Sequence, residues 1–489
     1  MFVWRHFRPP AILKDEGGAV LVYVTLLLPV LIGTAVLAID AARLSNLQTF
    51  LQNGADALAL TGAAELDRKP TAITRANAAL ASLVQNNHKF GAASPAMITM
   101  DNVRFLSSLP ASDANAIASS HETTDPTLAR FVEVTVTPQT LNTMFPASFL
   151  GGSNTSTTGA RAVAGFQSVV CKSMPMFICN PYEGTGTTIF DVMADPALRR
   201  RQIKMQLGTG GTSQYFPGNY GWLDSPIFGN GATALRDALA LVNPPTCFEQ
   251  NGVSQKTGNI ESANDAINVR FDLWRGPYNN KNKDAAYRPA RNVRKGYAPG
   301  KGGNGACNPN DNPSDPNPNK ARLGRDSAYP YSGGRMGNGD WDFEAYWTTN
   351  YPGTAAPNGW SNANRPSRYE VYQHELGTIG SGGTDLVARQ SPAPYNEKGA
   401  PACYSGGALS DEPDRRMLYG AIINCQDLNV QGNSGDPLPV LVFGKFFITE
   451  PVPNPPDPEA GAIFSELVGV IEPGTVSNDV ARDIVQLYR

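Results

Sequence analysis

Two hydrophobic patterns follow one another without a break near the start of the chain. From Gly17 to Ile39 no charged residue occurs and almost every position is apolar. About 23 such residues make roughly 34 Å of helix, enough to cross the hydrocarbon layer of a bilayer with some tilt. Beyond Asp40 the stripe thins to Leu44, Leu47, Leu51, Gly54, Leu58 and Thr61, spaced alternately three and four, with Arg43, Gln48, Gln52 and Asp56 on other faces. That period predicts a membrane helix continuing into water to about Leu66, with Gly62 and Pro70 bracketing its end. The stripe is short and rich in Ala and Gly, so it is expected to pack on the protein's own outer domain rather than in a coiled coil.

The flanks set an orientation. Arg5, Arg8 and Lys14 precede the apolar run and only Arg43 follows it closely, which places residues 1–16 in the cytoplasm and everything after the 17–39 span outside. A cleaved signal peptide is the competing reading. It is disfavoured because the run is longer than a signal core and only Gly33 and Ala35 offer a small-x-small site. Pro29 predicts a bend in mid-span. Thr34, Ala38 and Ala42 form a small-residue face on which another helix could approach, although Ala is common enough for this to be chance.

Further along, the period shortens to two. A short helix is predicted from about Thr71 to Asn86, then strands at Asn102 to Leu106, Phe131 to Thr137 and Arg161 to Ser168, with Val132, Val134 and Val136 alternating against Glu133, Thr135 and Thr137. From Cys171 the chain is long enough for one or two further domains. Strands are expected at Gln202 to Leu207, Ile267 to Leu273, Arg416 to Asn424, Leu438 to Glu450, Gly461 to Val470 and Asp483 to Tyr488, and a helix at Ala232 to Val242. A Gly, Asn, Pro, Asp and Lys-rich stretch near 278–338 lacks apolar residues and reads as a flexible surface insert. The fold class is α+β, with a loop-rich, mainly β domain over 171–489.

One segment resembles a known family. Lys14-Asp15-Glu16-Gly17-Gly18-Ala19-Val20, the apolar span with Pro29 and Gly33, Asp40-Ala41-Ala42-Arg43, and Leu51-Gln52-Asn53-Gly54-Ala55-Asp56-Ala57-Leu58-Ala59-Leu60-Thr61-Gly62-Ala63 are similar to the N-terminal segment of TadE/TadG-like Flp pilus-assembly proteins. The resemblance covers roughly residues 14–66, and polar landmarks on both sides of the span carry it. It implies an inner-membrane, single-pass protein with a periplasmic or cell-surface domain, working with pilus subunits or other Tad pseudopilins of a tight-adherence machine. By this analogy the helix and β-meander of 40–170 form a pseudopilin-like module. A processed pilin would carry Glu five residues after its cleavage-site Gly, where this chain has Tyr23 or Val22, so an uncleaved, TadG-like anchor is expected. The Asp-x-Ser-x-Ser metal motif of the von Willebrand type A domain that many TadG-like proteins carry is not present in this sequence.

Composition adds compartment rather than activity. The 489 residues include 48 Gly and 39 Pro with a net charge of −3, which suits a turn-rich outer domain and offers no global field for nucleic acid. Arg199-Arg200-Arg201 reads as a solvated strand or loop face. Cys171, Cys179, Cys247, Cys307, Cys403 and Cys425 all lie beyond the anchor and suggest three disulfides among fifteen possible pairings. Pairing of sequence neighbours, 171 with 179, 247 with 307 and 403 with 425, is the first expectation. Zinc is the runner-up, without a Cys-x-x-Cys pair to support it.

Catalytic motifs are weak. His374-Glu375 lacks the second zincin His, since position 378 is Thr378; no Gly-x-Ser-x-Gly occurs; and Gly296 to Lys301 fails phosphate-loop spacing. Asp224, Asp272, Asp340 and Asp342 are carboxylates that could pair only through the fold. Asn338, Asp340 and Asp342 alternate like the opening of a calcium loop but lack its Gly and closing Glu, with Phe343 and Thr349 in their places, so an Asx-rich turn competes with a calcium site. Trp341, Tyr346, Trp347, Tyr351, Trp360, Tyr369 and Tyr372 form either a binding face or core packing. The expectation is a non-enzymatic component of Flp pilus assembly without an obligatory cofactor. An anchored adhesin or calcium-dependent binder and an envelope hydrolase are the alternatives, and partner identity and oligomeric state are not legible.

Overall fold

The computed structural model describes residues 16–82, 87–89, 95–110, 112–208, 211–224, 231–250, 252–256, 263–298, 300–301, 307–308, 320–378, 385–432, 437–455, 457–471 and 481–488. The chain divides into two units, Met1–Gln167 with Ile484–Arg489, and Ser168–Asp483.

The first unit is organised by one long helix, α1 (Glu16–Ala63), with Pro29 inside it. Its apolar run is bare: Leu21 is 70% exposed and Ile39 is 50% exposed, and the helix is long and apolar enough to span a membrane. From Asp40 the pattern reverses, and Leu47, Leu51, Ala55, Leu58, Ala59 and Ala63 are buried. They pack on α2 (Ala72–Ser82) and on a sheet of β1 (Met100–Leu106) and β2 (Phe131–Val136). The predicted stripe is therefore the buried one up to Leu58. At its end it moves from Thr61 to Gly62 and Ala63, because strict 3,4 spacing drifts off the face of a straight 3.6-residue helix. Gly62 has a packing reason to lack a side chain, since a Cβ there would lie 3.3 Å from both Leu80 and Val132.

Val132, Val134 and Val136 point at α1 as their alternation predicts. Glu133 does not face solvent: it is 2% exposed and paired to Arg104 on β1 and to Arg161. A hairpin of β3 (Gln139–Asn142) and β4 (Thr155–Thr158) leads into β5 (Arg161–Cys171), which pairs antiparallel with β2. The C-terminal strand Ala481–Leu487 returns to β5, and the Tyr488 N–H donates to the Val163 carbonyl at 2.8 Å.

In the second unit a sheet closes on itself. It runs through β6 (Met176–Cys179), β7 (Gln202–Leu207) and β8 (Asn219–Leu223) and, much later in sequence, β11 (Met417–Ile423), β12 (Val442–Ile448) and β13 (Ile463–Ile471). The order is β8-β6-β11-β12-β13-β7, and parallel pairing of Asn219 with Gln206 and Tyr220 with Leu207 joins β7 back to β8. The short strands β9 (Cys247–Glu249) and β10 (Gln255–Lys256) pair with β5 and β8. Both faces of the ring are buried. Met176, Ile178, Leu418 and Ile422 join the helices α3 (Ala232–Ala240) and α4 (Ala263–Asn268) in one core, while Phe177, Ala421, Ile423 and Phe443 belong to another. This is why β6 and β11 read as nearly continuous apolar runs rather than alternations.

Three expectations are corrected. The disulfides are Cys171–Cys247 and Cys179–Cys425, and Cys403 is disulfide-bonded as well. Neighbour pairing of 171 with 179, 247 with 307 and 403 with 425 therefore does not occur. Strand pairing decides the matter, since β5 and β9 set Cys171 opposite Cys247 at a Cα separation of 3.9 Å. Ile267 to Leu273 is not a strand: it is the end of α4 and a 3₁₀ turn, Val269–Phe271. Its intervening polar residues Asn268 and Arg270 are buried too, so the alternation never separated a core face from a water face. The 278–338 stretch is not uniformly a surface insert. Residues 302–306 and 309–319 lie outside the described residues, but Ala290, Val293, Arg294, Lys295, Ala321 and Leu323 are buried, Leu323 in an apolar core and Arg294 and Lys295 by polar pairing.

Candidate functional site

The polar landmarks beside the apolar run are pins that fix the helix to its own module. Asp40, 6% exposed, accepts from Arg43 Nη1 at 3.1 Å and from the Phe145 backbone N–H at 2.7 Å. Arg43 also donates to the Asn142 carbonyl at 3.3 Å. One turn beyond Gln48, Gln52 Nε2 donates to Asp56 Oδ1 at 2.7 Å and to the Arg161 carbonyl at 3.2 Å. The bonds to the Asp40 carboxylate are part-buried, where an unpaired carboxylate would cost more than in water. Asp40 and Phe145 are 105 residues apart, so sequence reading missed this contact. Its one local signal was an Asp closing an uncharged run.

The candidate calcium residues lie in one turn. Asn338 Nδ2 donates to Ser327 Oγ at 3.0 Å and to Asp340 Oδ2 at 3.2 Å, and Asp340 Oδ1 accepts from Arg365 Nη1 at 2.7 Å. Asp342 Oδ1 accepts from the Ala345 N–H at 3.0 Å, capping helix α5 (Phe343–Asn350), and from Asn362 Nδ2 at 2.9 Å. Among the described residues, no group of three or more His, Cys, Asp or Glu is placed to share a metal ion.

The aromatic run is core. Trp341, Phe343, Tyr346, Trp347, Tyr351 and Tyr372 are buried together, with Trp360 and Tyr369 packed against them. Their polar ends are satisfied inside, as buried Tyr and Trp require. Trp341 Nε1 donates to the Pro366 carbonyl at 2.9 Å, and the hydroxyls of Tyr346 and Tyr351 both donate to Glu375. Glu375 lies on helix α6 (Arg368–Glu375), and its other oxygen accepts from Asn292 Nδ2 at 2.6 Å. The neighbouring His374 is 6% exposed and sits against the rings of Trp347 and Trp360, and burial pushes its imidazole below the ordinary value.

The scattered carboxylates do not converge. Asp224 pairs with Lys256 at 3.3 Å, and buried Asp272 accepts from Trp274 Nε1 at 2.8 Å and from the N–H groups of Ala402 and Cys403 at 2.7 Å each. Nor are the three consecutive arginines a solvated face. Arg200 donates to the carbonyls of Gly339 and Arg365, and the Arg201 guanidinium lies 4.2 Å from the Tyr331 ring centre.

Buried cations replace solvent at helix ends. Arg415 donates to the carbonyls of Ala240 and Leu241, and Arg270 to that of Leu239, so two guanidiniums close the C-terminus of α3. Burial, with Arg270 and Arg288 nearby, holds Arg415 well below the usual guanidinium range. These side chains line a cavity of about 590 Å³ shared with Lys172, Glu412, Asp414 and Lys445, residues of both charge signs.

No curated protein and no solved structure matches the chain. Residues 17–65, which take in the apolar run, the pins at Asp40 and Arg43 and the stripe buried under the first unit's sheet, match the family described as "Putative Flp pilus-assembly TadE/G-like".

Proposed function

We propose that the protein is a non-enzymatic, TadG-like scaffold of Flp pilus assembly, anchored in the inner membrane by residues 17–39 with its N-terminus in the cytoplasm. Its periplasmic or surface domain docks pilus subunits or other Tad pseudopilins. The observation that carries this reading is the family match over residues 17–65 on a helix that leaves its apolar run and packs at once beneath its own sheet. The charges before the run, Arg5, Arg8 and Lys14, support the orientation. The alternative of an aromatic adhesive face loses its surface, because the rings it would use are buried. A non-enzymatic role is supported by the engagement of the His374-Glu375 pair, one ring wedged between tryptophans and one carboxylate held by two tyrosines and an asparagine.

The test is deletion of the gene with a restored copy as control, and a count of surface pili by electron microscopy. Pili lost on deletion and regained on complementation are the expected result. Unchanged pilus number would overturn the assembly role.

A further inference from the structure

The part of α1 covered by its module does not stop at Asp40. Val36 and Gly33 are half-buried while the apolar side chains around them are bare, and a Cβ built on Gly33 would lie 3.7 Å from the Phe145 ring. Gly33 is seven residues below Asp40, about 10 Å along a helix. Phe145, in the 143–148 segment Thr-Met-Phe-Pro-Ala-Ser, thus lies beside the apolar span. Met144 is 59% exposed there.

The backbone N–H groups of this segment are paired internally. Thr143 N–H donates to the Asn154 carbonyl at 2.9 Å, Phe145 N–H to Asp40 Oδ2 at 2.7 Å, Ala147 N–H to the Phe145 carbonyl at 2.8 Å and Ser148 N–H to Asn154 Oδ1 at 2.9 Å. Pro146 has no N–H to satisfy. Gly152 N–H closes the turn on the Ala147 carbonyl at 2.9 Å. Irregular backbone at membrane depth needs this internal pairing, because lipid offers no partners. Asp40 is the member that makes it possible: its carboxylate holds the loop against the helix at the end of the uncharged run.

We infer that the 143–148 loop is immersed in the bilayer beside the membrane helix, with lipid as the occupant around Met144. The loop then acts as a second, interfacial anchor that sets the depth and rotation of the first unit. The apolar surface it presents is continuous with that of the span, which is what argues for lipid over a protein groove. This rests on the membrane reading of residues 17–39.

The cysteines of the described residues are all in disulfides, so a nitroxide can be attached to one introduced thiol in the full-length protein reconstituted into phosphatidylcholine/phosphatidylglycerol vesicles. Three single variants are compared by accessibility to oxygen, which partitions into lipid, and to a water-soluble nickel chelate: Val30→Cys in the span, Met144→Cys in the loop and Ala114→Cys on an exposed polar loop. The expected result is an oxygen-to-nickel ratio at Met144 several-fold above that at Ala114 and close to that at Val30. A Met144 label as nickel-accessible as Ala114, with the Val30 label in lipid, would overturn the loop's immersion and leave the membrane span standing. A Met144 label shielded from both reagents would overturn it in favour of a protein contact. A nickel-accessible Val30 label would remove the membrane reading itself, and the loop's role with it.

Discussion

Arg368 Nη1 donates to Glu466 Oε1 at 2.8 Å with both side chains wholly buried. Asp326 takes the other side of the same guanidinium at 2.6 Å. Glu466 also accepts from the first two N–H groups of α6, those of Arg368 and Tyr369, at 3.1 Å each. One carboxylate thus joins β13 to a helix start, a cation and two orphan donors. Glu466→Ala is expected to cost about 3–5 kcal/mol, because it removes one of the two carboxylates on a fully buried guanidinium and leaves two helix-start N–H groups without their acceptor. Urea unfolding of the second unit measures it. A loss below about 1 kcal/mol, the range of exposed pairs, would mean that water reaches the arginine.

His374 is expected to make the second unit less stable in acid. Burial lowers its imidazole below the ordinary value, with Glu375 opposing in part, so the fold holds it neutral while the unfolded chain protonates it near about pH 6.5. Protonation therefore favours unfolding, and stability from this group should be complete above that pH and lost as pH falls towards the depressed folded value. His374→Phe, between Trp347 and Trp360, is expected to flatten the acid side of a stability-against-pH curve. An unchanged slope would assign the acid sensitivity to other groups.

On β5, Gly165 leaves room for two rings. Phe131 and Tyr488 meet edge to face with centroids 5.0 Å apart, and a Cβ on Gly165 would come within 2.5 Å of one and 2.8 Å of the other. Gly165→Ala should destabilise the first unit by about 1–3 kcal/mol through overpacking, read as a lower melting midpoint. Pairing it with Phe131→Leu should recover part of the loss. If the single variant melts like the wild type, the rings yield freely.

Asp342 is an N-cap, so Asp342→Ala should cost about 1 kcal/mol whether or not calcium is present. Melting curves with and without millimolar calcium separate the two uses of this residue. A calcium-dependent rise in the wild type that disappears in the variant would put the cation back at Asn338, Asp340 and Asp342.

What could be read in advance was local. The 3,4 spacing of Leu47, Leu51 and Leu58 and the alternation of Val132, Val134 and Val136 are periodicities of single elements, and each buries the face it predicts. The misreadings arose where distant partners decide. Asn268 bonds both the N–H and the carbonyl of Val452, imitating a strand's pairing from inside a helix, so a run with strand-like spacing could fold otherwise. Arg294 is buried among the Asn350 side chain and the carbonyls of Arg389 and Glu397, so a stretch poor in apolar residues still enters a core. The candidate site divides in the same way. Asp40 and Arg43 were visible as landmarks, but their acceptor and donor on the 142–145 turn became visible only once the hairpin was placed.

The strand Ala481–Leu487 completes the sheet of the first unit. Tyr488 binds Val163, and the whole second unit is spelled out between them. α1 and the strand that completes its module's sheet are therefore separated by the whole second unit, and the module stays unfinished until residues beyond Asp483 have been made. Non-local pairing of this kind is slow and leaves an unpaired edge in the meantime. The second unit, with its ring closed on itself, can mature during that interval, and the first unit's sheet is completed only by the return of residues 484–488.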